Sequence, residues 1–172
     1  MITMISKSTE KLSKDEIKKI CVLKNSWWKF GIKSQLNYFK NNIKPNDLHN
    51  CFYIDNQLLG YTLLRKRVFF ILNKKFNYLY FDTLIIKKNF RKKNFSSLLM
   101  FFNNGVIKKN KQPSFLICKN ELVNYYKKFK WNKISKRRLK IVDHSFNENG
   151  LFFNISKSFL NNKNTIELYI NK

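Results

Sequence analysis

Residues 84–100, LIIKKNFRKKNFSSLLM, carry the reading that decides the fold. YLYFDTLII, closing at Ile86, reads as a strand, and from Phe95 onward Leu98, Leu99, Phe102 and Val106 recur at helical spacing. Between the two lies a turn with five cations in seven positions: Lys87, Lys88, Arg91, Lys92 and Lys93. Cations at a helix N-terminus oppose the dipole and repel one another, so an ordinary solvated helix start fits poorly unless an anion is present. Successive free amides at such a start suit a phosphate-bearing anion, and glycine normally lets that anion come close. Here Asn94 and Ser96 stand where bare backbone is wanted. Asn tolerates the left-handed conformation better than other side chains, and Ser adds only a small Cβ and a hydroxyl. The turn exchanges bare backbone for charge.

Outward from this stretch, Ser13-Lys14-Asp15-Glu16 has the form of a capping box and predicts a helix through about Asn25. Residues 33–43, ending before Pro45, read as a second helix with Leu36, Phe39 and Ile43 on one side. WWKF between them, residues 27–30, reads as core, with a stacking platform for a substrate as the alternative. CFYIDNQLLGYTLLRKRVFFIL, residues 51–72, reads as a hairpin turning at Asp55-Asn56-Gln57. Downstream, SFLIC after Pro113 is a strand, NELVNYYKKFK a helix, and WNKI and GLFFNIS follow. Two helices, three strands, helix, strand, helix and further strands describe an α+β sheet rather than a doubly wound one. With no repeat and no Pro/Gly/Ser-rich linker, residues 1–172 are expected to form one domain.

The 44% apolar and 16% aromatic residues suffice for a sizeable core. No run of 18 apolar residues exists, and the opening MITMISKSTEKLSKDEIKKI lacks an apolar signal core, so the expectation is a cytoplasmic protein without a membrane span. Cys21, Cys51 and Cys118 follow no metal-ligand or redox spacing, and Cys118, closing an apolar run, reads as a buried inert thiol. His49 and His144 are isolated, and no metal site is assigned. The formal charge is +25, from 35 Lys and Arg against 10 Asp and Glu. An AT-rich gene would supply the lysines, but not the shortage of acids; the balance points to an anionic ligand, nucleic acid or an anionic surface.

Together, LIIKKNFRKKNFSSLLM and NYYKKFKW resemble the two signatures of the GCN5-related N-acetyltransferase (GNAT) superfamily, with matching element order across roughly residues 13–135. In that family a strand leads into Arg/Gln-x-x-Gly-x-Gly/Ala, which here falls on Arg91, Asn94 and Ser96. A later Tyr-x-x-x-Gly-Phe/Trp falls on Tyr126, Lys130 and Trp131. The resemblance implies a mixed, mostly antiparallel sheet flanked by helices and acetyl-CoA as cosubstrate. It implies that the backbone of Leu84, Ile85 and Ile86 runs along the pantetheine, and that Arg91, Lys92, Lys93, Asn94, Phe95 and Ser96 surround the pyrophosphate. It further implies that Tyr126 is the general acid that protonates the departing thiolate; by spacing alone Tyr126 is equally a core tyrosine. The long hairpin, Trp131 and the late NENGLFFNIS are similar to the aminoglycoside 2′-N-acetyltransferase branch.

Asp82 shares a strand face with Leu84 and Ile86, and an acid in an apolar strand is costly unless used or paired. It is therefore a candidate general base for an ammonium nucleophile, with a structural hydrogen bond as the alternative. Aminoglycosides are polycations that a +25 chain repels at long range, so the expected acceptor is a small amine bearing negative charge, such as a nucleotide-linked amino sugar. Two further readings stand beside this one: an N-acyltransferase with another donor, such as an acidic acyl carrier protein, and a non-catalytic module of the same fold that binds nucleic acid.

Overall fold

The computed structural model describes residues 1–145 and 147–171. The fold is α+β, a mostly antiparallel sheet flanked by helices. The chain divides into two compact units: Met1–Arg65 with Asp82–Asn103, and Lys66–Phe81 with Asn104–Lys172.

The first unit holds β1 (Ile2–Ser8), α1 (Lys14–Asn25), α2 (Ile32–Asn42), β2 (Leu48–Ile54), the start of β3 (Gln57–Ile71), the end of β4 (Lys74–Ile86) and the start of α3 (Phe95–Lys109). The capping box forms in full: the Glu16 amide donates to Ser13 Oγ at 3.1 Å, and the Ser13 amide donates to Glu16 Oε2 at 2.8 Å. β2 and β3 form the expected hairpin, and Asp55 and Asn56, with φ of 46° and 63°, give the left-handed pair that a two-residue hairpin turn requires. α1 packs Ile20, Cys21 and Leu23 against Phe39, Leu63 and Ile85. β1 was not expected. Its sequence ITMISKS alternates too weakly to announce a strand, yet it pairs with β2 along its whole length, from Ile2 opposite Ile54 to Ser8 opposite Leu48.

The second unit holds the remainder of β3, β4 and α3, then β5 (Ser114–Cys118), α4 (Val123–Lys127), β6 (Asn132–Lys133), β7 (Leu139–Ile141), β8 (Asn149–Phe153), α5 (Lys157–Asn161) and β9 (Ile166–Leu168). β5 runs parallel to β4, with Leu79 opposite Ser114 and Tyr80 opposite Phe115, and antiparallel to β8 from Ser114 to Cys118. Phe69, Tyr78, Phe115, Phe152, Ile166 and Leu168 form its core. The helix read over NELVNYYKKFK is shorter than its pattern: a 3₁₀ turn at Asn120–Leu122 precedes the single α-helical stretch of α4. All three cysteines are free and buried, and burial pushes the Cys51 and Cys118 thiols up to about 12 and about 11. Among the described residues, no helix is long and apolar enough to cross a membrane.

Gly150 lets β8 lie against the aromatic core. A Cβ there would come within 2.7 Å of Phe115 Cε2 and 2.5 Å of Leu139 Cδ1, whereas one at Gly105 in α3 would meet nothing within 4 Å. The same substitution therefore has opposite signs at the two sites. Gly150→Ala should lower stability by about 1–3 kcal/mol through overpacking, and Gly105→Ala should raise it by up to about 1 kcal/mol through helix propensity. Urea denaturation midpoints of the two variants measure both.

Candidate functional site

Within the first unit, β4 ends at Ile86 as expected, and a 3₁₀ turn, Lys88–Phe90, leads to Arg91 in extended conformation. The backbone then becomes left-handed at Lys92 (φ 62°) and at Asn94 (φ 59°) before α3 starts at Phe95. Asn94 thus adopts the geometry that glycine would supply, and Lys92 adopts it as well. The amides of Ser97 and Leu98 donate to the Asn94 carbonyl at 3.0 and 3.2 Å. Those of Lys92, Lys93, Asn94, Phe95 and Ser96 have no acceptor among the described residues. Consecutive free amides in a turn with left-handed residues, continuing into a helix N-terminus, are the kind of backbone arrangement that can receive an anion.

The surroundings hold this turn in place. The Lys87 amide donates to the Leu59 carbonyl at 2.7 Å, and Arg91 Nε donates to the Ile86 carbonyl at 3.0 Å. Phe95 packs against Phe52 and Phe90. The Arg91 guanidinium lies 3.6 Å from the Trp27 ring centroid, so this cation is committed to an aromatic face. Lys92 and Lys93 remain exposed beside the open amides.

Trp27, Trp28 and Phe30 are not core: they are 47%, 41% and 73% exposed. Their segment joins α1 to α2 and cannot close over itself; Gly31, with φ 86°, turns it into α2, and Gln35 Nε2 holds it by donating to the Trp28 carbonyl at 3.1 Å. Trp28 and Phe30 line a cleft of ≈ 250 Å³ together with Lys24 of α1, Tyr38 of α2, and Asp82 and Thr83 of β4.

Asp82 is half-buried, and its Oδ2 lies 3.5 Å from Nη1 of the buried Arg65, whose Nη2 donates to the Asn42 carbonyl at 3.1 Å. Both readings of this acid therefore meet in one geometry: Asp82 is paired, and it also faces the cleft. Lys24 was missed among 35 cations, although its spacing from Ile17, Ile20 and Cys21 places it on the buried stripe of α1. It is 7% exposed, and its Nζ sits 4.9 Å from the Tyr38 ring centroid and 5.9 Å from that of Trp28. Burial lowers its pKa, and neighbouring Asp82 raises it back in part.

Within the second unit, Tyr126 is buried against Phe81, Tyr125 and Trp131, and burial raises its pKa well above the ordinary phenol range. Trp131 stacks on Phe153 and donates from Nε1 to Asn104 Oδ1 at 3.2 Å. Lys130, where the resemblance calls for glycine, is left-handed at φ 65°.

No protein-family model matches this sequence, and no curated protein matches it. Solved structures do. The GNAT family N-acetyltransferase YhbS from Escherichia coli, in complex with CoA, superposes with a TM-score of 0.68 at 10% identity, over 98% of this chain and 90% of that one. An acyl-CoA N-acyltransferase from Pseudomonas aeruginosa gives 0.64 at 13% identity, over 88% and 97% of the two chains. The ribosomal-protein-S18-alanine N-acetyltransferase from Escherichia coli gives 0.59 at 11%, over 88% and 91%. The fold is that of the GNAT N-acetyltransferases.

A left-handed lysine carries conformational strain that glycine lacks, although glycine gives back part of the gain through its freer unfolded chain. Lys130→Gly should therefore raise stability by about 0.5–1 kcal/mol. A thermal midpoint that rises for Lys130→Gly and falls for Lys130→Val is the expected pair of results.

Proposed function

We propose that the chain is a single N-acetyltransferase domain spanning residues 1–172, which transfers the acetyl group of acetyl-CoA to a primary amine of a small acceptor bearing an anionic group. The observation that carries this reading is the run of free amides from Lys92 to Ser96 at the start of α3. They offer a pyrophosphate the donors and the helix dipole it needs, and Lys92 and Lys93 add full charge. The pairing of β4 with β5 is confined to Leu79 and Tyr80, which favours Leu84 and Ile85 as backbone partners for the pantetheine. The Ile86 carbonyl is already engaged by Arg91. The bound coenzyme supplies a thioester carbon that is open to attack by an amine.

The remaining chemistry is assigned to side chains. Asp82, directly or through water, takes a proton from the acceptor's ammonium. The freed nitrogen bonds to the acetyl carbon as the C–S bond breaks, the nitrogen loses a second proton to solvent, and Tyr126 returns one to sulfur. Burial keeps the Tyr126 phenol protonated, so a proton donor is present when the thiolate departs. Arg65, 3.5 Å from Asp82, orients the carboxylate. Net charge argues against a polycationic acceptor, which 35 cations against 10 acids would exclude at long range.

Ser96, half-buried, is the second residue of α3 and the last of the free amides. Ser96→Phe should abolish the thermal stabilisation given by millimolar acetyl-CoA, and Ser96→Gly should retain it. Equal stabilisation of both variants would remove the turn as the coenzyme site. Tyr126→Phe keeps the ring packing and removes the proton. Its turnover, followed by thiol release, should fall by about 10²- to 10⁴-fold with coenzyme affinity little changed, and unaltered turnover would return Tyr126 to a purely structural role.

A further inference from the structure

The cleft bounded by α1, α2 and the end of β4 has opposite charges in its lining and apolar walls between them. Lys24 supplies the positive charge. Its ammonium carries three donors, and among the described residues it has aromatic faces at 4.9 and 5.9 Å but no hydrogen-bond acceptor. A nearly buried ammonium without an acceptor is costly, and ring faces offset only part of that cost. Asp82 supplies the negative charge. Among the described residues its one side-chain bonding partner is Arg65 at 3.5 Å, beyond the usual 2.7–3.2 Å of a strong hydrogen bond, so the carboxylate retains accepting capacity. Lys24 and Asp82 interact electrostatically without a bond between them. Both side chains line the cleft.

We infer that the acceptor is an amino carboxylate with an apolar or aromatic side chain, its carboxylate received by Lys24, its amine by Asp82 and its side chain by the rings of Trp28, Phe30 and Tyr38. A simple anion satisfies only one end of this cleft, because Asp82 repels it; a simple amine satisfies only the other, because Lys24 repels it. A zwitterion satisfies both. With Arg65 buried beside Asp82, the cations outnumber the acid, so the carboxylate is the stronger anchor. The exposed rings of Trp28 and Phe30 supply stacking surface that the fold itself leaves uncovered. Size narrows the class further. At ≈ 250 Å³ the cleft falls below the roughly 300–1,000 Å³ of sites for drug-sized ligands. An amino acid enters whole, whereas a nucleotide-linked amino sugar enters only in part.

This inference rests on the acetyltransferase reading for the fate of the amine, but not for its binding. Three matched probes test it by calorimetry on the full chain, with and without saturating coenzyme A: L-phenylalanine, 2-phenylethylamine, which lacks the carboxylate, and 3-phenylpropionate, which lacks the amine. L-Phenylalanine should bind at least about ten-fold more tightly than either truncated probe. Lys24→Met, which keeps the length and apolar stem, should erase its advantage over 2-phenylethylamine, and Asp82→Asn should erase its advantage over 3-phenylpropionate. Binding of 2-phenylethylamine as tight as that of L-phenylalanine overturns the inference, as does no detectable binding of the amino acid at millimolar concentration. If Lys24→Met does not fold, the three-probe comparison on the parent decides alone. The two readings also fail separately: amino acid bound but no coenzyme A bound sinks the acetyltransferase reading, and coenzyme A bound but no amino acid bound sinks this one.

Discussion

The left-handed backbone at Lys92 and Asn94 is the constraint around which the first unit is built. A non-glycine residue in that region costs on the order of 1–3 kcal/mol and persists only where its surroundings over-determine it. They do so here from both sides. The Lys87 amide is tied to the Leu59 carbonyl, Arg91 Nε is tied to the Ile86 carbonyl, and Phe95 is wedged between Phe52 and Phe90. Gly60 completes the fit: a Cβ there would come within 2.8 Å of Ile86 Cδ1 and 3.1 Å of Leu99 Cδ2, so its absence lets β3, the end of β4 and α3 close together. Relaxing the turn would scatter the run of free amides at this helix start.

Charge follows the same logic at shorter range. A chain with +25 formal charge resists compaction, and most of its lysines stay in solvent where screening makes them harmless. Three cations are instead brought into close packing within the first unit: Lys24 on two rings, Arg65 on Asp82 and the Asn42 carbonyl, and Arg91 on Trp27. Arg91 and Trp27 join the amide turn to the segment that carries Trp28 and Phe30. His49 shows the electrostatic reach of Lys24. Buried, and bonded to Thr9 and Tyr61, it is held to a pKa of about 4 chiefly by burial, with Lys24 contributing.

Elements governed by local chemistry were legible in the sequence. The capping box at Ser13, the end of β4 at Ile86, the start of α3 at Phe95 and the strand SFLIC each depend on near neighbours, and each stands where its residues place it. What depends on distant partners was not legible. β1 exists because β2 offers it an edge, and β7 and β9, each of three residues, exist only through their ladders. WWKF failed as core for a related reason: aromatic content states that a surface wants cover, not whether the protein or a ligand provides it. At the site, the turn could be read from its cations and Asp82 from its apolar strand. Lys24 is one of 35 cations, set apart only by its place on an apolar helical stripe.

The contrast between a fold that matches many solved structures and a sequence that matches no family has a physical source in the turn itself. A sequence motif records residue identities, whereas the site needs backbone dihedral angles and small volumes. Where glycine would be expected, Asn94 and Lys130 reach φ of 59° and 65°, and Ser96 adds only a small side chain in the first turn of α3. The angles persist while the letters that usually encode them do not. The cost of holding lysine or asparagine there falls on packing: on Phe52 and Phe90 for the first turn, and on Trp131, braced by Phe153 and Asn104, for the second. Aromatic packing thus stabilises what glycine would have allowed without help. A chain rich in Lys, Asn and Phe with only four Gly can in this way share a fold at about a tenth identity and still keep a row of free amides at this turn.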